Sequence, residues 1–214
     1  MPILKKSSIP GPVGNLEVIA HIPDGFPRAI AVVAHPLPTM EGTMEHKVVT
    51  TLAKTFAEMG FTALRFNFRG VGESDGVYDN GNGEVEDAIA VARYALQEYG
   101  PNENNPSEQH KVPLILSGFS FGGYVQARVA QSLHPQRLIL VAPAVGRFAM
   151  PDVPPDTLVI HGDQDEIVPL DAAMKWAQPQ NLPIVVMPGA GHLFHGRLIE
   201  LKEIVRQHFI EHPI

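Results

Sequence analysis

A serine framed by glycines, Gly118-Phe119-Ser120-Phe121-Gly122-Gly123, stands between a short apolar run, Leu114 to Leu116, and an Ala/Val-rich stretch of helical pattern. In that setting G-x-S-x-G describes a sharp strand-to-helix turn that lifts a serine hydroxyl clear of a sheet, which makes Ser120 the candidate nucleophile. Gly118 and Gly122 suit a backbone too tight for side chains, and Gly123 lets the following helix approach a neighbouring strand. A hydroxyl attacks weakly until a base takes its proton, and the base must be held in one tautomer by a third group. Downstream, His161-Gly162-Asp163-Gln164-Asp165-Glu166 offers three carboxylates and Gly189-Ala190-Gly191-His192 offers an imidazole. The order is serine, acid, histidine. Spacing alone does not choose among Asp163, Asp165 and Glu166. His192 has one rival, His195, which reads as an exposed residue of a first helical turn.

These residues need a scaffold, and the surrounding pattern supplies one. Leu16 to Ile22 reads as an early strand closed by a hairpin-like turn at Pro23-Asp24-Gly25. Ala29 to Ala34 has no polar alternation, as in a strand covered on both faces, and runs into His35-Pro36-Leu37-Pro38. A helix is predicted over about Met44 to Glu58 and stopped by Gly60, then a strand over Phe61 to Phe66. A second helix is expected over Glu84 to about Glu98, and Gly100 to Lys111 reads as an exposed connection. After the Ser120 strand and helix come strands at Arg137 to Val141, Thr157 to Ile160 and Ile184 to Met187. Helices are expected near Leu170 to Ala177 and Leu193 to His208. Strands alternating with helices imply a mostly parallel sheet, in which ligands bind beyond the carboxyl ends of the strands. His35, Arg69, Ser120, Asp165 and His192 all follow predicted strands, and so fall on one edge.

With those residues in view the sequence resembles the α/β-hydrolase superfamily over nearly its whole length. The resemblance rests on His35-Pro36, Asn67-Phe68-Arg69-Gly70-Val71-Gly72-Glu73-Ser74, Gly118 to Gly123, His161 to Pro169 and Gly191-His192. It is most similar to small, lidless, bacterial-type members akin to carboxylesterases and dienelactone hydrolases. It departs from the latter by carrying Ser120 where they use cysteine. The resemblance implies an α/β-hydrolase fold, a mostly parallel twisted sheet with helices on both faces, and a catalytic set of Ser120, Asp165 and His192. Through H-G-x-x-D-x-x-V-P it favours Asp165 as the acid, and through G-H-x-F it favours His192 as the base. An oxyanion would accept from the N–H of Phe121, after the nucleophile, and by resemblance from the loop after the His35 strand. There Pro36 and Pro38 have no N–H, which leaves Leu37. His35 is expected to orient that loop and Arg69 to brace the site from behind.

Many hydrolases of this fold carry a lid after the strand that here ends at Pro143. Only Ala144 to Asp156 separate it from the next strand, so an open site for short or medium acyl groups is expected, with Phe148, Met150 and Phe194 as candidate lining. The implied activity is that of a serine esterase. Thioester or peptide hydrolysis uses the same machinery, and a non-catalytic binding protein on this fold is the reading from another class.

Composition sets the bounds. At 214 residues with 44% apolar and 18% charged residues, a single domain over 1–214 is expected. The absence of cysteine excludes disulfides, thiolate metal sites and a cysteine nucleophile. A net charge of −7 without a basic block argues against nucleic acid as partner. No apolar run reaches membrane length, and Ile9-Pro10-Gly11-Pro12 stands where a signal peptide needs an apolar segment, so a cytoplasmic protein is expected. The Gly70 to Gly76 loop lacks the G-x-G-x-x-G spacing of dinucleotide sites. His21, His110, His134 and His161 lack metal-ligand spacing. The expectation is thus a small-molecule ester as partner, no cofactor, no metal, and a monomer or homodimer.

Overall fold

The computed structural model describes residues 2–101 and 112–214, so the connection expected up to Lys111 lies, from residue 102 on, outside the described residues. Eight strands form one sheet: β1 (Ile3–Gly11), β2 (Gly14–Ile22), β3 (Ile30–Ala34), β4 (Thr62–Phe66), β5 (Leu114–Phe119), β6 (Arg137–Val141), β7 (Leu158–Gly162) and β8 (Ile184–Met187). Their spatial order is β1-β2-β4-β3-β5-β6-β7-β8. The first two pairings are antiparallel, and β4 through β8 run parallel. Every residue of β3, β4, β5 and β7 is buried, which is why these runs lack polar alternation.

Alternation within β3 shows the layers. Ile30, Val32 and Ala34 point into a core shared with helices α2 (Asn82–Tyr99) and α3 (Phe121–Leu133), through Ala88, Val91, Ala92 and Val125. Ala31 and Val33 point the other way, into a core shared with α1 (Lys47–Glu58) and α5 (Leu198–Glu211), through Leu52, Phe56, Leu201 and Phe209. A short α4 (Leu170–Ala177) adds Ala173 to a satellite cluster with Val145 and Val168. Helices therefore cover both faces. Sheet order reverses at β3, which pairs with β4 on one side and β5 on the other, and the crevice at such a switch point is where open α/β sheets bind ligands.

Three local expectations are corrected. The turn after Ile22 makes no hairpin: β2 pairs backward with β1 through Pro12-Val13 and forward with β4, in the register His21↔Ala63. Strand β1 escaped the sequence pattern because it is an outer strand with Ile3 and Leu4 exposed, so burial imposes no period on it. Helices α1 and α5 begin later than periodicity predicts. His46 caps α1 through its side chain, while positive φ angles at Phe194 (51°) and Gly196 (70°) keep residues before Arg197 in turns. Between β6 and β7 the chain forms no helix, so no helical lid is inserted at that point of the carboxyl edge. No helix among the described residues is long and apolar enough to cross a membrane.

Candidate active site

Ser120 sits between β5 and α3 with φ 55° and ψ −117°, a conformation that costs a non-glycine residue about 1–3 kcal/mol unless its surroundings impose it. They do. Its N–H bonds to the Val141 carbonyl at 2.9 Å, and its own carbonyl accepts from Gly123 at 2.9 Å and Ala144 at 3.1 Å. A Cβ on Gly118 would strike the Gly122 carbonyl, and one on Gly122 would strike the Ala34 carbonyl, so the turn closes only with glycine at both.

Strands β7 and β8 deliver the other two groups. His192, buried, places Nε2 3.0 Å from Ser120 Oγ and Nδ1 2.7 Å from Asp165 Oδ2. A carboxylate only accepts, so Nδ1 carries the proton and Nε2 is left to accept from the serine hydroxyl. The other Asp165 oxygen accepts the N–H groups of Ile167 at 2.9 Å and Val168 at 2.7 Å. Burial works against this carboxylate, but the hydrogen bonds from His192 and Val168 outweigh it and hold its pKa below the ordinary value. Buried His161 donates from Nε2 to the Val168 carbonyl at 2.8 Å, pinning the same loop 3.4 Å from Asp165 Oδ2. Asp163 faces away, accepting the Gly189 N–H at 2.6 Å, and Glu166 and His195 are exposed.

A cleft of about 130 Å³ opens beside these groups. Leu37 and Phe121 both line it with Ser120 and His192, and neither amide donates a hydrogen bond to another described residue. Phe148 lines it too. Phe194 does not: it is fully buried against Phe119 in the α1/α5 core, and Met150 packs under α4. Ile167, Leu193 and Met40 supply apolar wall instead, and Arg147 reaches across the mouth to bring Nη1 3.5 Å from Met40 Sδ. His46 also lines the cleft. Histidine is a weak signal for a helix cap, so the sequence offered no cue for it.

Two supports hold the edge together. His35 is fully buried, with Nδ1 donating to the Pro36 carbonyl at 2.6 Å and Nε2 accepting the Phe68 N–H at 3.1 Å. It thereby ties the loop bearing Leu37 to the loop after β4. Arg69 grips Asp87 on α2 with two side-chain nitrogens, at 3.0 Å and 2.8 Å, while its own N–H bonds the same carboxylate at 2.9 Å. It thereby fastens the loop after β4 to α2 and does not line the cleft.

Burial pushes the His35 pKa down to about 3. An unfolded histidine takes its proton near 6.5, so between those values the unfolded chain binds more protons and stability rises with pH. His21 and His46, each lowered to about 4 chiefly by burial, act in the same direction. His35 alone should remove on the order of a few kcal/mol between pH 6.5 and 3. Thermal unfolding at constant ionic strength should show the melting temperature falling from pH 7 to 4. The slope should be shallower in His35→Gln, itself less stable at pH 7; equal slopes would refute the assignment.

Residues 27–155 match the model of the family described as serine aminopeptidase, S33. Over 215 residues the chain is 33% identical to the protein RP471 of Rickettsia prowazekii, covering 94% of this chain and 86% of that one. Among solved structures, XC6422 of Xanthomonas campestris, an α/β serine hydrolase without lid, is 40% identical, with 97% of this chain and 94% of that chain covered and a TM-score of 0.88. An α/β serine hydrolase homologue from Coxiella burnetii is 42% identical, covers 95% of this chain and 96% of its own, and superimposes with a TM-score of 0.81.

Proposed function

Because the chain belongs to the α/β-hydrolase superfamily, in the family described as serine aminopeptidase S33, we propose that it is a lidless serine esterase that cleaves small carboxylic esters through an acyl-enzyme. The observation that carries this reading is the continuous chain Ser120–His192–Asp165, at 3.0 Å and 2.7 Å, on the floor of an apolar cleft. As Ser120 Oγ bonds to the ester carbonyl carbon, His192 Nε2 takes its proton, and the Asp165 carboxylate stabilises the imidazolium. The carbonyl oxygen becomes an oxyanion accepting from the N–H groups of Phe121 and Leu37, helped by the positive end of α3. Collapse breaks the bond to the alcohol, which leaves with the proton from His192. Water then repeats the sequence on the acyl-enzyme and releases the acid.

Cleft size bears on the substrate. At about 130 Å³ it is well below the 300–1,000 Å³ that drug-sized ligands occupy, so a short acyl group fills it. With p-nitrophenyl esters of rising acyl length, kcat/KM should peak between acetate and butyrate and fall by about tenfold or more at decanoate, whose chain finds no further apolar volume. A fluorophosphonate should label Ser120. No turnover and no labelling of folded protein would overturn the reading, and faster cleavage of the matching thioesters or p-nitroanilides would replace "ester" in it.

A further inference from the structure

A second imidazole faces the same cleft. His46 stands at the start of α1, half-buried, with Nδ1 accepting the Val48 N–H at 3.3 Å, so the ring proton lies on Nε2. Its ring stacks on Phe119 with centroids 4.9 Å apart and planes 27° from parallel, and Phe119 in turn meets the His192 ring at 5.0 Å. The two histidines are thus held by one aromatic ring, on the residue preceding Ser120. Burial first, then the positive charge that His192, His195 and Lys47 can carry, lowers the His46 pKa to about 4, so at neutral pH it is an uncharged donor. Nε2 has no hydrogen-bond partner among the described residues, whereas Leu37, Met40, Phe121, Phe148, Ile167 and Leu193 make most of the wall apolar. The charged lining groups, Glu41 and Arg147, are exposed.

A substrate entering this cleft strips water from Nε2–H. A plain alkyl chain leaves that donor unmet, while an acceptor oxygen restores its hydrogen bond. We propose that His46 Nε2–H donates to the substrate, and that the preferred esters carry an acceptor oxygen close to the scissile carbonyl, as alkoxy-, hydroxy- or oxo-acyl groups do. The inference rests on the serine-esterase reading and assigns its substrate class.

The test compares p-nitrophenyl methoxyacetate with p-nitrophenyl butyrate, which differ by oxygen for methylene, each kcat/KM divided by the rate of alkaline hydrolysis. The native protein should favour methoxyacetate by about tenfold after that correction. His46→Phe, which keeps the stacking and loses the donor, should abolish the preference, and His46→Gln, which keeps a donor, should retain part of it. Any unfolded fraction cancels in the ratio. An equal ratio in native and His46→Phe, or both esters slowing together, would leave His46 as packing and overturn the proposal. If native protein cleaves neither ester and takes no fluorophosphonate, the esterase reading itself fails and this inference with it.

Discussion

Ser120→Ala should reduce p-nitrophenyl ester turnover by about 10⁶-fold, to the residue of catalysis that binding and the oxyanion amides supply by themselves. The fold should survive, because among the described residues the serine hydroxyl bonds only to His192 Nε2, while the backbone of the turn is held by Val141, Gly123 and Ala144. Alanine keeps a Cβ at φ 55°, so the strain of the turn stays, and the urea midpoint should shift little. Side-by-side kinetics and urea titration of native and variant check both halves. Equal turnover in the two proteins would remove Ser120 from the mechanism whatever the stability result.

Asp165→Asn comes next in size. The amide oxygen can still accept from Ile167 and Val168, so the loop stays formed, but the group opposite His192 Nδ1 at 2.7 Å becomes an N–H donor. Nδ1 must then accept, and the ring proton moves to Nε2, facing Ser120. A base whose reactive nitrogen already carries a proton cannot take one, and a loss on the order of 10⁴-fold in kcat is expected. The variant also removes a carboxylate whose folded pKa lies below 3.8. Its stabilising share is present above 3.8 and disappears as pH falls through the lower folded value, so the native advantage in melting temperature over Asp165→Asn should shrink toward acid. A variant with native kcat would show that some other group orients His192. The rivals Asp163 and Glu166 make poor candidates for that role, since one is engaged with Gly189 and the other is exposed.

Much of this site was legible in the chain because its parts obey local rules. The turn around Ser120 announces itself through glycines that must be glycine, and fully buried parallel strands announce themselves as apolar runs without alternation. Since ligands gather at the carboxyl ends of such strands, residues following them could be placed on one edge before any distance was known. What failed was non-local or unburied. The exposed strand β1 left no pattern, and the turn after Ile22 looked like a hairpin because nothing local says that β2 pairs with the distant β4, as in Ala20↔Leu64 and His21↔Ala63.

By itself, then, the sequence determined which residue types stand at which strand ends: a serine on a strained turn, carboxylates after β7, a histidine after β8. Only the tertiary structure decided which carboxylate meets the imidazole, which side chains wall the cleft in place of Phe194 and Met150, and that His46, its Nδ1 engaged by Val48, brings a second imidazole to that wall. The reason is physical. A turn or a buried strand is imposed by sterics and burial among near neighbours, whereas a hydrogen bond between groups 27 or 72 positions apart exists only where separate elements pack into one register.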